Sequence, residues 1–293
     1  MLMPVVLSIG FQRRFLESES KSSRIHRDNV PSDESADESE RVSKMIFDVA
    51  NPPCLIVPIT GTTIAKLVEE AVEAEQAGAD VIEWRIDFLF GAHQNLSFAE
   101  IGREAIPLIL TQTTVPLLLT LRTIEQGGQA KLSPGRYRLI FAELLDTLVH
   151  LNADPARIGV DVEHRFEQAP ALAATAVAAG YTVVVSHHDW HETPDNLMMH
   201  LLFDELLAIP DVVAKLAVTA NSDADVTRLL QVTKEVADAS KRPIIALAMG
   251  EAGKRSRLEG WKAGSVATFV AVGAGSAPGQ PQMEEIRVAL GRE

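Results

Sequence analysis

One lysine interrupts an otherwise apolar run, Val212-Val213-Ala214-Lys215-Leu216-Ala217-Val218. The run has strand length, follows Pro210-Asp211, and is succeeded by the capping-box pattern Ser222-Asp223-Ala224-Asp225 that opens a helix. Such a strand is buried on both faces, where an uncompensated ammonium is costly. Three readings stay open for Lys215. It pairs with a carboxylate, it reaches water from a strand end, or it is a desolvated amine with a lowered pKa that can attack a carbonyl. A second cluster, Ser186-His187-His188-Asp189, ends a run of valines. Adjacent residues of an extended chain face opposite ways, so at most one histidine shares a side with the lysine. A histidine beside a reactive lysine is a natural proton shuttle. Metal ligation is the weaker option for these histidines, and no metal is expected.

The other strand ends read, in order, Glu83 and Arg85, Arg122, Asp161 and Glu163, Met249-Gly250, and the stretch Ser276 to Gln280, with charged groups at nearly every one. Each alone reads as an ion pair between neighbouring strands, Asp161 and Glu163 most of all. That reading does not easily absorb all of them at one end of a fold.

The elements that must carry these residues follow a rhythm. Strand-like runs at Cys54–Val57, Asp80–Arg85, Pro116–Thr120, Arg157–Val162, Tyr181–Ser186, Val212–Val218, Pro243–Leu247 and Val266–Val270 alternate with helical periodicity. The helices include Ile64 to Gly78, Ser97–Gln112, and Pro134–Leu151 with Leu139, Ile140, Leu144, Leu145 and Leu148 periodic. Glu167–Ala179 and Met283–Leu290 are helical too. Thr193-Pro194 caps a helix bearing Leu197, Met198, Leu201 and Leu202. Strands alternating with helices run parallel with the helices outside. Eight such units in roughly 240 residues predict an α/β fold, a (β/α)₈ TIM barrel, whose active site lies at the carboxyl ends of the strands. An open doubly wound sheet competes, but Gly61 alone makes no phosphate loop after the first strand.

Formal charge is −13, so the bulk field disfavours nucleic acid and anionic membranes as partners. Cys54 is the sole cysteine; it can form no intrachain disulfide and suits a reducing compartment, the cytoplasm. No apolar run reaches the roughly 18 residues of a membrane helix. Residues 1–50 read as an extension without chemistry: Pro4 to Phe11 followed by Arg13-Arg14 fits a signal peptide poorly. Glu17 to Arg41 is too polar to offset its ordering entropy and reads as disordered. Residues 51–293 read as the barrel and catalytic domain.

The motifs together resemble type I 3-dehydroquinate dehydratase. They are Glu83-Trp84-Arg85-Ile86-Asp87, Thr120-Leu121-Arg122-Thr123 before Gly127-Gly128, Ser186-His187-His188-Asp189, Val213-Ala214-Lys215-Leu216-Ala217, Met249-Gly250 with Ser256-Arg257, and Ser276-Ala277-Pro278-Gly279-Gln280. The resemblance spans about Cys54 to Leu290. It implies a (β/α)₈ barrel that converts 3-dehydroquinate to 3-dehydroshikimate through a lysine imine, without metal or cofactor, as a homodimer. Lys215 then resembles the Schiff-base lysine and His188 the proton-transfer histidine. Glu83, Arg85 and Arg122 resemble hydroxyl-binding and charge-placing groups, and Arg257 the clamp on the substrate carboxylate. Ser276 and Gln280 resemble the residues of a closing loop. Two positions depart from the family. Gln126 stands where a glutamate holds the histidine, with Glu125 one residue early, and Pro58 replaces a small hydroxyl residue. A Schiff-base aldolase of the same fold would need a phosphate site, and Ala271 to Gly275 lacks the fuller pattern. A catalytically idle regulatory domain is at odds with intact Lys215, His188 and Arg257. Shikimate synthesis and quinate breakdown share this step, so the sequence does not separate them.

Overall fold

The computed structural model describes residues 45–92, 97–273 and 275–292; the segment Glu17 to Arg41 read as disordered lies outside them. Eight strands are β1 (Cys54–Ile59), β2 (Val81–Arg85), β3 (Leu117–Thr120), β4 (Ile158–Glu163), β5 (Thr182–His188), β6 (Val213–Thr219), β7 (Ile244–Met249) and β8 (Ala267–Phe269). Every ladder between neighbours is parallel, β1 pairs with both β2 and β8, and the order runs β7-β6-β5-β4-β3-β2-β1-β8. The Val266 N–H donates to the Ile244 carbonyl (2.9 Å), bringing the two ends together. This is the TIM barrel expected from the alternating pattern.

The helices are α1 (Ile64–Ala77), α2 (Asp87–Ala92), α3 (Phe98–Gln112), α4 (Pro134–His150), α5 (Ala169–Ala178), α6 (Asn196–Leu207), α7 (Asp223–Ser240), α8 (Lys254–Glu259) and α9 (Met283–Leu290). Ser222 and Asp225 form the predicted reciprocal cap on α7. Two details differ from the sequence reading. The cap of α6 is Asp195, whose carboxylate accepts from the Met198 N–H (2.8 Å), while the Thr193 hydroxyl donates to the Thr219 carbonyl. Tying Thr193 to the end of β6 delays the helix start. The buried face of α6 is accordingly Met199, Phe203 and Leu206, and Leu197, Met198 and Leu201 face outward. On α4, Tyr137 and Phe141 take the core position that an aliphatic pattern assigned to Leu139, which is exposed. The short α2 and α8 were not read from the sequence.

Strand periodicity of two decides what reaches the barrel axis. Ile82, Trp84, Leu117, Leu119, Val160, Val162, Ala214 and Leu216 pack outward in the core shared with the helices. The alternate set fills the inside, where Ile56, Val81, Leu118, Val184, Val213 and Ile245 make an apolar lower half. Two residues further along, this face turns polar on β2 to β6, while β7 stays apolar through Leu247 and Met249. Val81 gives way to Glu83, Leu118 to Thr120, Gly159 to Asp161, Val184 to Ser186 and Val213 to Lys215, all buried. Ile46 and Phe47, ahead of β1, are buried in the same interior cluster.

Candidate active site

Nine of the ten residues to which the sequence assigned catalysis, substrate binding or support of the histidine border one cavity, about 490 Å³ with the solvent at its mouth: Glu83, Arg85, Arg122, Gln126, His188, Lys215, Arg257, Ser276 and Gln280. The tenth, Glu125, lies outside it, paired with Arg165 (2.9 Å) and half exposed. The cavity sits over the carboxyl ends of the strands because the polar half of the barrel interior lies there.

Lys215 projects from the middle of β6 and is only 4% exposed. Its ammonium has a carboxylate neighbour, Asp161 Oδ2 at 3.6 Å, and an aromatic one, the Phe269 ring at 4.2 Å. Desolvation is the largest influence on the amine; Asp161 and Glu83 oppose it, Arg122 and Arg85 reinforce it, and the net pKa falls below the ordinary lysine value. Lys215 is thus both paired and readier to lose its proton, combining two of the three readings that its sequence left open.

Arg122 lies two residues beyond β3, on the inward face. Its guanidinium meets Asp161 Oδ1 (2.7 Å) and Glu163 Oε1 (3.3 Å) and donates to Ser186 Oγ (2.8 Å). Ser186 in turn donates to Asp161 Oδ1 (2.7 Å), and Glu163 also accepts from the Thr123 amide and hydroxyl. Burial raises the Asp161 pKa, but Arg122, Lys215 and the Ser186 bond outweigh it and hold the carboxyl below its usual range. Arg85 does not pair with Glu83. It forms a two-pronged bond to Asp87 at the start of α2, both contacts at 2.8 Å, while Glu83 accepts from the Thr120 hydroxyl (2.9 Å).

β5 runs two residues further than its sequence suggested and carries both histidines. His188 borders the cavity; His187 lies on the other face, its ring 6.3 Å from that of His164. Gln126 holds His188 by the main chain. Its Oε1 accepts from the His188 N–H (2.8 Å) and its Nε2 donates to the His188 carbonyl (3.3 Å). Both contacts are to the main chain, so the side-chain amide fixes the strand end rather than the ring. The His188 Nδ1 has no hydrogen-bond partner among the described residues. Burial first, then the charges of Arg122, Lys215 and Arg85, push the imidazole pKa well below its ordinary value, so the ring is kept neutral.

Gly127 follows Gln126 at φ 80°, and the Trp190 indole lies where a Cβ would stand; only glycine satisfies both demands. Pro58 pairs in register with Glu83 without bordering the cavity.

On the far side, α8 presents Arg257. The Ser256 hydroxyl accepts from the Ala248 amide and the Thr268 hydroxyl donates to the Arg257 carbonyl, tying α8 to β7 and β8. Arg257 is 2% exposed, yet burial is the sole influence on its pKa, which falls to about 10. Its Nε has no acceptor among the described residues. Above it, Gln280 folds the 276–280 loop on itself. Its Oε1 accepts from the Ser276 amide (2.8 Å), its Nε2 donates to the Val270 carbonyl (3.1 Å), and the Gly250 amide donates to the Pro278 carbonyl (3.3 Å).

The arrangement offers an amine nucleophile, a neutral imidazole beside it, a guanidinium that no carboxylate among the described residues pairs, and hydrogen-bonding groups between them. Asp161 had been weighed only as an ion-pair partner. Its inward parity, set by the strand register that places Asp161 opposite Val184, was the available signal. Trp190 and Phe269 also border the site. Trp190 lies in a loop, where no periodicity could point to it.

A family model described as type I 3-dehydroquinase matches residues 55–292. The chain is 37% identical over 246 residues to a 3-dehydroquinate dehydratase of Listeria monocytogenes serotype 4a (strain HCC23), covering 81% of this chain and 91% of the relative. It is 32% identical over 244 residues to one of Escherichia coli O8 (strain IAI1), with 81% and 92% covered. The crystal structure of 3-dehydroquinate dehydratase from Geobacillus kaustophilus HTA426 superposes with a TM-score of 0.72 at 29% identity, covering 82% of this chain and 91% of that one. The type I enzyme of Clostridium difficile with covalently modified comenic acid gives 0.71 at 30%, with the same coverage.

Proposed function

This chain belongs to the type I 3-dehydroquinase family, and from that premise we propose that it is a 3-dehydroquinate dehydratase in which Lys215 forms the imine and His188 moves the proton. The observation that carries this reading is a buried lysine of lowered pKa sharing one cavity with the carboxylate-free guanidinium of Arg257. The Lys215 amine adds to the C3 ketone, and loss of one water gives an iminium, an electron sink. His188 takes the C2 proton, leaving an enamine. The enamine electrons expel the C1 hydroxyl, which His188 protonates to water. Hydrolysis of the product iminium returns the C3 ketone and the free amine, so the net change is one water lost.

Arg257 offers a planar fork to the substrate carboxylate. Glu83 and Arg85 face the ring hydroxyls, Arg122 contributes fixed charge, and Ser276 with Gln280 closes the cavity over the substrate. Gln126 acts through the His188 main chain. The catalytic unit is 51–293, and no step calls for a metal or a cofactor. The family resemblance also implies a homodimer acting in the cytoplasm. The outward-facing Leu197, Met198 and Leu201 support an association surface, and the single cysteine suits a reducing compartment; light scattering at micromolar concentration tests the dimer. Among the described residues no helix is long and apolar enough to cross a membrane.

Treating the protein with substrate and borohydride tests the central assignment. A mass increment is expected on Lys215, and His188→Ala should lower kcat by about 10² to 10⁴ while His187→Ala changes it little. An increment on another residue, or none, would remove Lys215 from its role.

A further inference from the structure

Asp161 lies behind the lysine, buried completely and away from the cavity wall. Its two oxygens are used unequally. Oδ1 takes the Ser186 hydroxyl and faces Arg122, both at 2.7 Å. Oδ2 is buried with no hydrogen-bond donor among the described residues, and it faces the Lys215 nitrogen at 3.6 Å. A buried carboxylate oxygen left without a donor is expensive unless a charge compensates it at some stage. Ser186 and Arg122 fix Oδ1, so Oδ2 is aimed at the lysine by the rest of the network.

We propose that Asp161 is the counter-ion of the protonated imine that forms on Lys215. This rests on the imine reading above. A free amine carries no charge and leaves Oδ2 unmatched, whereas an iminium carries a full positive charge at that nitrogen. The charge disappears as the C2 proton leaves and returns as the C1–O bond breaks. A fixed anion at the nitrogen therefore favours iminium formation and the bond-breaking step. It opposes deprotonation of the free lysine, which is why the cations Arg122 and Arg85 and the dry surroundings are needed to bring the amine pKa down.

The groups facing Lys215 are Asp161 on β4, Glu83 and Arg85 on β2, Arg122 beyond β3, His188 on β5 and the Phe269 ring on β8, with Arg257 across the cavity. Asp161 is the nearest anion. Removing its charge should push two readouts in opposite directions, which loss of structure alone does not do. In Asp161→Asn the free lysine becomes more acidic, and acetylation of Lys215 by acetic anhydride, followed by mass spectrometry against pH, should begin at least about one pH unit lower. At the same time kcat should fall on the order of 10²-fold. Ser186→Ala disturbs the same hydrogen bonds but keeps the carboxylate charge, and its labelling onset should stay with the wild type.

An unmoved or alkaline-shifted onset in Asp161→Asn, or an equal shift in Ser186→Ala, would overturn the counter-ion. Borohydride trapping on the wild type separates this from the wider reading. Without mass on Lys215 the imine itself falls, whereas mass on Lys215 with an unmoved onset sinks Asp161 alone. Should Asp161→Asn not fold, ¹⁵N NMR of wild-type protein labelled at lysine Nζ and incubated with product decides the matter. The imine nitrogen should stay protonated well above neutral pH, and loss of that proton near neutrality would overturn the proposal.

Discussion

Two of the three arginines buried at the mouth of this barrel, Arg122 and Arg257, are held in opposite ways. Arg122, on the β3 to β5 side, meets two carboxylates and a serine. Arg257, on the β7 to β8 side, meets no carboxylate among the described residues, and burial alone acts on its pKa. The opposed carboxylates raise the Arg122 pKa even though burial works against it. A saturated guanidinium is part of the protein's own charge balance and can act on a ligand chiefly as fixed charge. An unsaturated one carries a desolvation penalty that only an incoming anion removes. One half of the mouth is therefore charge-balanced by the protein's own carboxylates, and the other half presents a guanidinium that they leave open.

The contrast is most exposed to failure in stability. Arg122→Ala leaves Asp161 and Glu163 buried without their cation and should cost about 3–5 kcal/mol in chemical denaturation. Arg257→Met removes an unpaired charge and should be neutral or stabilising by about 1 kcal/mol or more. Equal destabilisation by the two would erase the distinction. Kinetics give the next largest effect. Arg257→Lys keeps the charge but loses the fork, and KM should rise roughly 10- to 100-fold with a smaller change in kcat; an unchanged KM would take Arg257 out of the site.

His188 stands between the two halves, and pH reads its surroundings. It works as a base only when unprotonated, and burial with the nearby cations lowers its pKa, so the acidic limb of kcat should lie below the ordinary histidine value of 6.5. In the proposed reaction Lys215 is already an imine in that complex and does not titrate there. Gln126→Glu places an anion beside the strand end and should move the limb upward by about one pH unit. A wild-type limb at or above 6.5 would contradict the cationic setting described for the ring. The smallest effect concerns Glu125, whose partner is the partly exposed Arg165. Glu125→Gln should shift stability by less than about 1 kcal/mol and leave kcat nearly unaltered. A large loss of kcat would mean that Glu125 reaches the histidine.

Much of this site was legible because strands impose parity. Lys215, His188 and Glu83 declared themselves as polar residues on apolar strands, and alternation with helices declared the barrel that gathers them. Pairings were less legible. Arg85 prefers Asp87, two residues along the chain, because α2 turns that carboxylate back toward the barrel, and α2 is too short to leave a periodic signal. The same holds for α6, where the cap is Asp195, two residues beyond Thr193, and the buried face runs through Met199, Phe203 and Leu206 with Leu197 outward. The Gln126 contact with the main chain of His188 was invisible for a different reason: sequence names side chains, and half of that bond is backbone.

The far end of the barrel matters to this chemistry as well. Ile46 and Phe47 stop it from below. The Ile46 amide reaches the Thr182 hydroxyl (3.0 Å) across 136 positions of chain, and its side chain fills the space that Gly159 leaves open beside Leu118. Ile56, Val81, Leu118, Val184, Val213 and Ile245 pack between that base and the lysine, and Ile46 with Phe47 completes the layer that keeps water from reaching the amine from below. With the base sealed by hydrocarbon, the amine has only the substrate side from which to draw solvent. The readiness of Lys215 to give up its proton is thus set in part by two apolar side chains that no substrate touches, a stopper at the bottom of the well fixing the chemistry at its rim.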